Sequence, residues 1–374
     1  MTDTTLILLC AGQSTRFEST VKKQWLRIDD IPLWLHVCNN LSSFSNFSDV
    51  IIVAHEDELS YMKNFTNSYT FVKGGSSRQE SMSNALNCVK TSFVLISDVA
   101  RACVPNDVIQ RLVNQKDTAD CIVPYLSVSD TVVYKNETIN RDEVKLIQTP
   151  QLSKTKILKE ALQSNVEFTD DSSAIKAVNG TVAYVKGSIL SNKLTFIDDL
   201  SNTSCLSAPS KDIYTGYGID IHPFEQNKQM VLGGVELPYD FGFKAHSDGD
   251  VLIHSIIDAL LGAIGAGDIG EFFPDTDPKY KGADSKVLLE EIISFVAKVG
   301  YEIINVDVTI LAEIPKINPF KNEIKNSLTS LLKIDKFKIN IKATTAEKLG
   351  FIGRKEAVAV HSVATLKYYD WTKK

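Results

Sequence analysis

Apolar positions in the first half of the chain come in short, nearly unbroken runs at 6–11, 50–54, 93–96, 121–123 and 181–185. Runs of this length bounded by polar residues predict strands buried on both faces. Helical spacing over 76–90 and 153–162 falls between them, so the β and α elements alternate. Such alternation predicts a Rossmann-like α/β domain, a mostly parallel sheet with helices on both faces. Further on the pattern predicts a short strand at 217–222, helices near 250–263 and 286–299, a strand at 305–311, a helical stretch near 318–332, and strands at 338–344 and 357–366. That order describes a second α/β or α+β domain, and no internal repeat is evident. The stretch 201–212 is small, polar and without apolar period, the composition of a linker. The expected domains are therefore 1–208 and 213–374, joined by 209–212.

With 374 residues, 44% of them apolar and 23% charged, the chain can bury two cores and is not a disordered or fibrous protein. The formal charge of -6 leaves no excess of cations to neutralise a nucleic-acid backbone. Neither a signal peptide nor a membrane span is expected. The start lacks a basic region, and the most apolar stretch, 256–266, is interrupted by Asp258, Gly262 and Gly265, far short of the roughly 20 residues that cross a bilayer. Six cysteines without C-x-x-C spacing suggest neither a disulfide framework nor a thiolate metal site, and a reducing cytoplasm fits them.

The first predicted strand runs into C-A-G-Q-S-T-R over 10–16, a small-residue turn whose backbone N–H groups can face phosphate, with Arg16 and then Lys22, Lys23 and Gln24 behind it. It is neither a Walker loop nor a dinucleotide fingerprint. A second glycine loop, G-G-S-S-R-Q-E-S over 74–81, lies between a strand and a helix and permits close approach to a base or ribose. Asp98 ends an apolar strand, where ligands of parallel sheets gather, and a carboxylate there can hold Mg²⁺ that bridges phosphates. Taken singly, each of these is as readily a turn or cap residue.

Together with Asp130-Thr131, Q-T-P-Q over 148–151 and S-N-K-L-T over 191–195, these segments resemble the nucleotidyltransferases that make 4-diphosphocytidyl-2-C-methyl-D-erythritol from CTP and 2-C-methyl-D-erythritol 4-phosphate. The resemblance covers about the first 205 residues. It implies that Arg16, Lys23 and Lys193 are catalytic, that Ala11, Gly12, Gly75, Arg78 and Ser81 surround the nucleotide, and that Asp98 holds Mg²⁺ or Mn²⁺. Arg101, Thr131, Arg141 and Thr149 would hold the methylerythritol phosphate, Thr131 and Arg141 across a dimer interface. Three departures stand out: Ser14 for a glycine, Lys22 for a proline, and S-D-V-A-R-A over 97–102. They leave open an inactive nucleotide-binding or oligomerisation module in front of a monofunctional second domain.

In the second half, Asp220 and His222 have strand period, so both face one side while Ile219 and Ile221 face the other. His254 lies on an apolar helix with Asp258 one turn on. One carboxylate and two imidazoles suit Zn²⁺, and three protein ligands leave a tetrahedral position open. A core histidine or a structural ion are the plainer readings of these residues alone. Polar loops containing glycine with acids and hydroxyls, at 245–250, 267–270, 273–278 and 342–350, favour a ligand site.

From 217 to about 367 the motifs D-x-H, A-H-S-D-G-D-V, D-I-G, F-P-D-T-D, G-A-D-S, N-V-D-V-T and A-T-T-x-E-K-L-G-F stand in order, and this half closely resembles 2-C-methyl-D-erythritol 2,4-cyclodiphosphate synthase. The resemblance implies Zn²⁺ on Asp220, His222 and His254, and Mg²⁺ or Mn²⁺ on Glu347. His246 and Thr345 would be catalytic, with Ser247, Asp268, Ile269, Gly270, Phe273, Asp277, Thr344, Phe351 and Arg354 on the substrate. Ala312, Pro315, Lys316 and Ile317 would form the cytidine pocket, shared in a homotrimer. The expectation is a bifunctional cytoplasmic enzyme of isoprenoid precursor synthesis, a trimer through one half and a dimer through the other, giving a hexamer or larger assembly. A pathway kinase is the expected partner, and nucleic acid and membrane are not.

Overall fold

The computed structural model describes residues 3–164, 166–203 and 205–373. Ser204, inside the polar stretch, and the extreme chain ends of the two expected domains lie outside the described residues. The chain divides into two compact units, Met1–Ala208 with Trp371–Lys374, and Pro209–Asp370. The last four residues thus group with the first unit rather than with the second.

The first unit is built on β1 (Thr4–Leu9), β2 (Asp49–Ala54), β3 (Thr70–Lys73), β4 (Phe93–Asp98) and β5 (Cys121–Ser127). Short strands follow at β6 (Val132–Tyr134), β7 (Glu137–Ile139), β8 (Lys145–Ile147), β9 (Gln151–Lys154) and β10 (Val182–Lys186). The sheet order is β8-β5-β9-β4-β1-β2-β3, with β10 beside β5. Pairs β1–β2, β1–β4 and β5–β10 are parallel, as the apolar runs predict, and so is β2–β3, whose second strand is not one of those runs. The run 153–162 divides into the end of β9 and helix α5 (Thr155–Ala161) in place of one helix. β9 enters antiparallel between β4 and β5. Residues 151–153 are fully interior, so a segment with Gln151 and Ser153 in it reads as polar yet sits mid-sheet.

Helices α1 (Leu33–Ser43), α2 (Glu56–Lys63), α3 (Arg78–Leu86), α4 (Asn106–Asn114) and α6 (Asp171–Ala177) complete this unit. Ile7, Ile51, Val53, Val94, Ile96 and Val123 pack with Met82, Ala85 and Leu86 of α3 as one core. The parallel strands β1, β2, β3 and β4 therefore deliver Cys10, His55, Gly74 and Asp98 to one edge, and the site forms there. Against the expectation of no disulfide framework, a disulfide links Cys103 to Cys205, Cα atoms 6.0 Å apart, a pairing that spacing did not show because 102 residues separate the two.

The second unit carries β11 (Ile213–Gln226), β12 (Phe241–Phe243), β13 (Tyr301–Leu311), β14 (Ile339–Thr344) and β15 (Ala357–Tyr368), in the order β12-β11-β15-β13-β14. Only β13–β14 is parallel; the pairs β11–β12, β11–β15 and β13–β15 are antiparallel. Helix α7 (Val251–Ile264) packs on β11 and β15, beside α8 (Ser285–Lys298) on β13 and α9 (Lys321–Leu332) on β14. On β11 the positions facing α7 are Gly216, Gly218, Asp220 and His222. A Cβ at Gly216 would collide with the Ala259 carbonyl, and one at Gly218 with the Ser255 carbonyl and, at 2.7 Å, the Ala259 nitrogen. Ile213, Tyr217, Ile219 and Ile221, on the opposite face, stay exposed in the single chain.

Gly218→Ala is accordingly expected to push α7 off the strand and destabilise the second unit by about 2–3 kcal/mol, an overpacking cost. Urea unfolding followed by circular dichroism checks it, and an unchanged midpoint would show that the helix can yield at no cost.

Candidate active sites

At the carboxyl edge of the first sheet lies a cavity of about 490 Å³. Its lining includes Ala11, Gly12, Arg16, Lys23, Gly75, Arg78, Ser81, Asp98 and Lys193, so residues far apart in sequence meet in one place. The turn after β1 is held from within: Ser14 has φ 57°, and its hydroxyl accepts the Lys23 N–H at 3.1 Å. The 3₁₀ turn Lys23–Trp25 thereby sets the Lys23 ammonium 2.9 Å from the Leu194 carbonyl. Across the second glycine loop, Ser77 caps α3 through the Glu80 N–H, and the Gly75 N–H donates to Ser81 Oγ.

Asp98 is the anionic centre of this cationic cavity. Lys193 Nζ lies 2.6 Å and Arg78 Nε 3.5 Å from its carboxylate. Burial pushes its pKa up, but Arg78 and Lys193 outweigh burial and hold the carboxyl below its ordinary range. Arg78 is clasped from behind by Asp171 at 3.1 Å, and burial, against the pull of Arg78, raises the Asp171 carboxyl to about 6. Burial lowers the Lys23 pKa, and the charges of Lys193 and Arg16 lower it further. One carboxylate facing the cavity fits Mg²⁺, which needs few protein oxygens when phosphates supply the others.

Arg101 and Thr149 stand just behind. Arg101 Nε donates to Thr149 Oγ1 at 3.1 Å, and the same oxygen accepts the Asp98 N–H at 3.3 Å. Thr131 and Arg141 are not brought to the cavity: both are exposed, by the two-stranded arm β6–β7, with Arg141 donating to the Ser129 carbonyl.

In the second unit Asp220 Oδ2 lies 3.0 Å from His222 Nε2 and 3.2 Å from His254 Nδ1, and the three could hold a metal ion. The hydrogen bonds behind the rings decide which nitrogen faces it. His222 Nδ1 donates to the Gly249 carbonyl at 2.9 Å, which leaves the Nε2 lone pair toward Asp220. Ser285 Oγ donates to Asp248 Oδ1, so it accepts from His254 Nε2 at 2.9 Å and leaves Nδ1 free. Two imidazole lone pairs and a carboxylate oxygen then converge, an arrangement that a cation satisfies. Burial pushes the Asp220 carboxyl up, yet when the two rings are protonated their hydrogen bonds and charges hold it well below the usual range.

Asp258 stays outside this group and accepts the Ile269 N–H at 2.8 Å, while Asp268 caps the next turn through the Glu271 N–H. Ser247 Oγ reaches His254 Nε2 at 3.3 Å, and His246 is exposed beside it. Gly270 shares the Asp268 turn; Phe273 is buried against Tyr280, and Asp277 caps the turn Pro278–Tyr280. The remaining candidates gather elsewhere. Ala312 donates its N–H to the Thr344 carbonyl, Ala312, Pro315 and Ile317 are buried, and the Lys316 N–H meets the Tyr239 hydroxyl. Thr345 Oγ1 donates to Glu347 at 2.8 Å, Phe351 is exposed, and Arg354 pairs with Glu356. Sheet register puts Asp220, Val360, Ile310 and Ala343 at one level across four strands. Three strand spacings, about 14 Å, thus separate Asp220 from Ala343 within one chain, and Glu347 follows in the loop beyond the end of β14.

Glu58, beneath the first cavity, was absent from the sequence reading, and Gln24 beside it, with Asp248, Asp250 and Ser285 behind the second site, entered only as members of quoted segments, without a positioning role. Asp250 is fully buried, and its carboxylate accepts the N–H groups of Gly233, Gly234, Leu252 and Ile253. The signals were present, an Asp before an apolar helix and G-A-D-S before another, but neither says what its carboxylate or hydroxyl would face.

Both units are similar to known proteins. Residues 4–206 match the family model of 2-C-methyl-D-erythritol 4-phosphate cytidylyltransferase, and residues 213–367 match that of the YgbB family. The chain is 64% identical over all 374 residues to a bifunctional enzyme IspD/IspF of Aliarcobacter butzleri and 54% identical to one of Sulfurovum, each covered in full. It is also similar to the solved structure of the bifunctional IspDF from Campylobacter jejuni, with TM-score 0.89 and 49% identity over 99% of this chain and 100% of that one.

Ser285→Ala removes the acceptor that orients His254. Affinity for a divalent transition-metal ion is expected to fall roughly ten-fold or more. Equilibrium dialysis measures it, and parent-like affinity would mean that the serine orients nothing.

Proposed function

The chain belongs to the bifunctional IspD/IspF family, and from that premise we propose which residues carry each of its two reactions. It is an enzyme of the methylerythritol phosphate pathway to isoprenoid precursors. Its first unit is a cytidylyltransferase that transfers CMP from CTP to 2-C-methyl-D-erythritol 4-phosphate, and its second is a 2-C-methyl-D-erythritol 2,4-cyclodiphosphate synthase that releases CMP. Both families are metal-dependent in general. No described helix is long and apolar enough to cross a membrane, and we assign the reactions to the cytoplasm, where nucleoside triphosphates are made.

The observation that carries the assignment is the first cavity, where Arg16, Lys23 and Lys193 surround a pocket floored by two glycine loops. Arg16 and Lys23 bind the triphosphate of CTP, and Ala11, Gly12, Gly75, Arg78 and Ser81 hold cytosine and ribose. Arg101, Thr149 and Lys193 orient the 4-phosphate so that its oxygen attacks the α-phosphorus in line while pyrophosphate leaves. Positioned positive charge is the main source of rate in such a transfer. Thr131 and Arg141, remote from their own cavity, act in that of a second copy, which makes the first unit dimeric.

In the second unit the 2-phosphate of the substrate attacks its own β-phosphorus and CMP leaves. Asp220, His222 and His254 would hold Zn²⁺, Glu347 Mg²⁺ or Mn²⁺, and Asp98 of the first unit Mg²⁺ or Mn²⁺. When bound, these ions supply Lewis-acid polarisation and charge neutralisation at the phosphates. His246, Ser247, Asp268, Ile269, Gly270, Phe273, Asp277, Thr344, Thr345, Phe351 and Arg354 bind the substrate, and Ala312, Pro315, Lys316 and Ile317 bind its cytidine. The exposed Ile213, Tyr217, Ile219 and Ile221 of β11 support a trimer whose neighbours complete each site. A dimer through one unit and a trimer through the other close into a hexamer or larger assembly. Because an ATP-dependent kinase must phosphorylate the first product before the second site can use it, that kinase is a proposed partner.

Phosphorus NMR of the full-length protein with CTP, methylerythritol 4-phosphate and Mg²⁺ tests the first assignment: pyrophosphate and a new diphosphate pair are expected. Lack of turnover alongside an active synthase would leave the first unit as a nucleotide-binding or oligomerisation module. Lys23 adds a pH signature. Its charge is complete at low pH and, because its pKa is lowered, is lost earlier on the alkaline side than that of a free lysine. Transferase kcat/KM should fall along that alkaline limb, and Lys23→Arg should move the limb upward; a limb that does not move would remove Lys23 from the chemistry.

A further inference from the structure

Lys23 enters the first cavity from a 3₁₀ turn of three residues, too short to hold its own position. What holds it lies underneath. Glu58, on α2 and 2% exposed, does not line the cavity, yet its carboxylate receives three donors from that turn. The Lys22 ammonium meets Oε1, while Gln24 Nε2 and Trp25 Nε1 donate to Oε2 at 3.1 and 2.6 Å. Gln24 then continues into the phosphate-facing loop, donating to the Gly12 carbonyl at 3.2 Å and accepting from Ser14 Oγ at 3.4 Å. Ser14 Oγ closes the circuit by accepting the Lys23 N–H. Lys22, Gln24 and Trp25 all bond to Glu58, and Lys23, the one residue of the four that does not, reaches into the cavity.

We infer that Glu58 is a positioning residue for the cytidylyltransferase reaction, fixing the 22–25 turn to the 12–14 loop so that Lys23 and the loop backbone meet the triphosphate in register. A buried ion pair is weak evidence for stability, because desolvation offsets its attraction. Three donors drawn from four consecutive residues are instead a geometric constraint. A displacement of about 1 Å in a group that stabilises a phosphoryl transition state costs on the order of 100-fold in rate, so a carboxylate that touches no substrate can govern turnover. The inference rests on assigning the cavity to CTP.

The test uses full-length protein, whose synthase activity reports on the same molecules. In Glu58→Gln the Lys22 ammonium loses its counter-charge and the turn shifts. Transferase kcat/KM for CTP is expected to fall by roughly 20-fold or more, with KM for methylerythritol 4-phosphate and the synthase rate within about two-fold of parent. Lys22→Met added to Glu58→Gln removes the stranded charge and keeps an amide oxygen for Gln24 and Trp25, so it should restore most of the loss. A purely structural role would lower the melting temperature and the folded fraction and leave the constants per active site unmoved. Three results overturn the inference: Glu58→Gln with parent-like constants, a loss accounted for by unfolded protein, or a double variant as impaired as the single one. A parent chain that turns over no CTP would instead overturn the assignment of the cavity.

Discussion

The second unit depends on a contact that contains no side chain. At Gly216 and Gly218 the backbone of α7 lies directly on β11, closer than any Cβ would allow. From that contact follows the reach of His254 to Asp220, since a helix at ordinary distance would hold the imidazole away from the strand. Asp250 fixes the same helix lengthwise by accepting two N–H groups of its first turn and two from the Gly233-Gly234 bend. Close packing and capping thus define height and register, and the hydrogen bonds from Gly249 and Ser285 define ring orientation. Ligand geometry is the product of four constraints, none of which is itself a ligand.

The first unit solves a different problem with charge. Its cavity brings Arg16, Lys23, Arg78 and Lys193 together, cations that would repel one another unless anions stood among them. Asp98 and Asp171 hold Arg78 and Lys193, and Glu58 takes the charge of Lys22 below the floor. Lys23 is in no ion pair with a carboxylate among the described residues, and burial with the charges of Lys193 and Arg16 outweighs the pull of Asp98 and Asp199 and lowers its pKa. That residual cost is relieved when a polyanion enters, which is how a site is made to favour a triphosphate over water.

Much of this was legible in the sequence, and what was not follows a rule. Apolar runs gave the parallel strands because strands buried on both faces carry their signature locally, and period-2 spacing put Asp220 and His222 on one face for the same reason. The motifs marked residues that line the first cavity or gather around Asp220. They were silent about β9, whose Gln151 and Ser153 look polar but are satisfied in the interior: Gln151 donates to Asp170 and accepts the Ser172 N–H. They were equally silent about Glu58, they included Ser285 without showing what it faces, and the scattered cysteines pointed away from the pairing of Cys103 with Cys205. Each of these acts through a partner remote in the chain, and a single sequence does not encode remote pairs in any local pattern.

Even the departures from the first family's motif become intelligible in pairs. A serine in the left-handed region at 14 carries a backbone cost that a glycine avoids, and a lysine at 22 brings a charge into an enclosed site. Yet the Ser14 hydroxyl supplies a hydrogen bond to the Lys23 N–H that glycine lacks, and the Lys22 ammonium finds the Glu58 carboxylate. Backbone rigidity that a proline would have contributed at 22 is replaced by side-chain bonds from two elements, α2 and the 12–14 loop. The substitutions therefore exchange local stiffness for tertiary bracing, and they keep Lys23 facing the cavity only as long as that bracing holds.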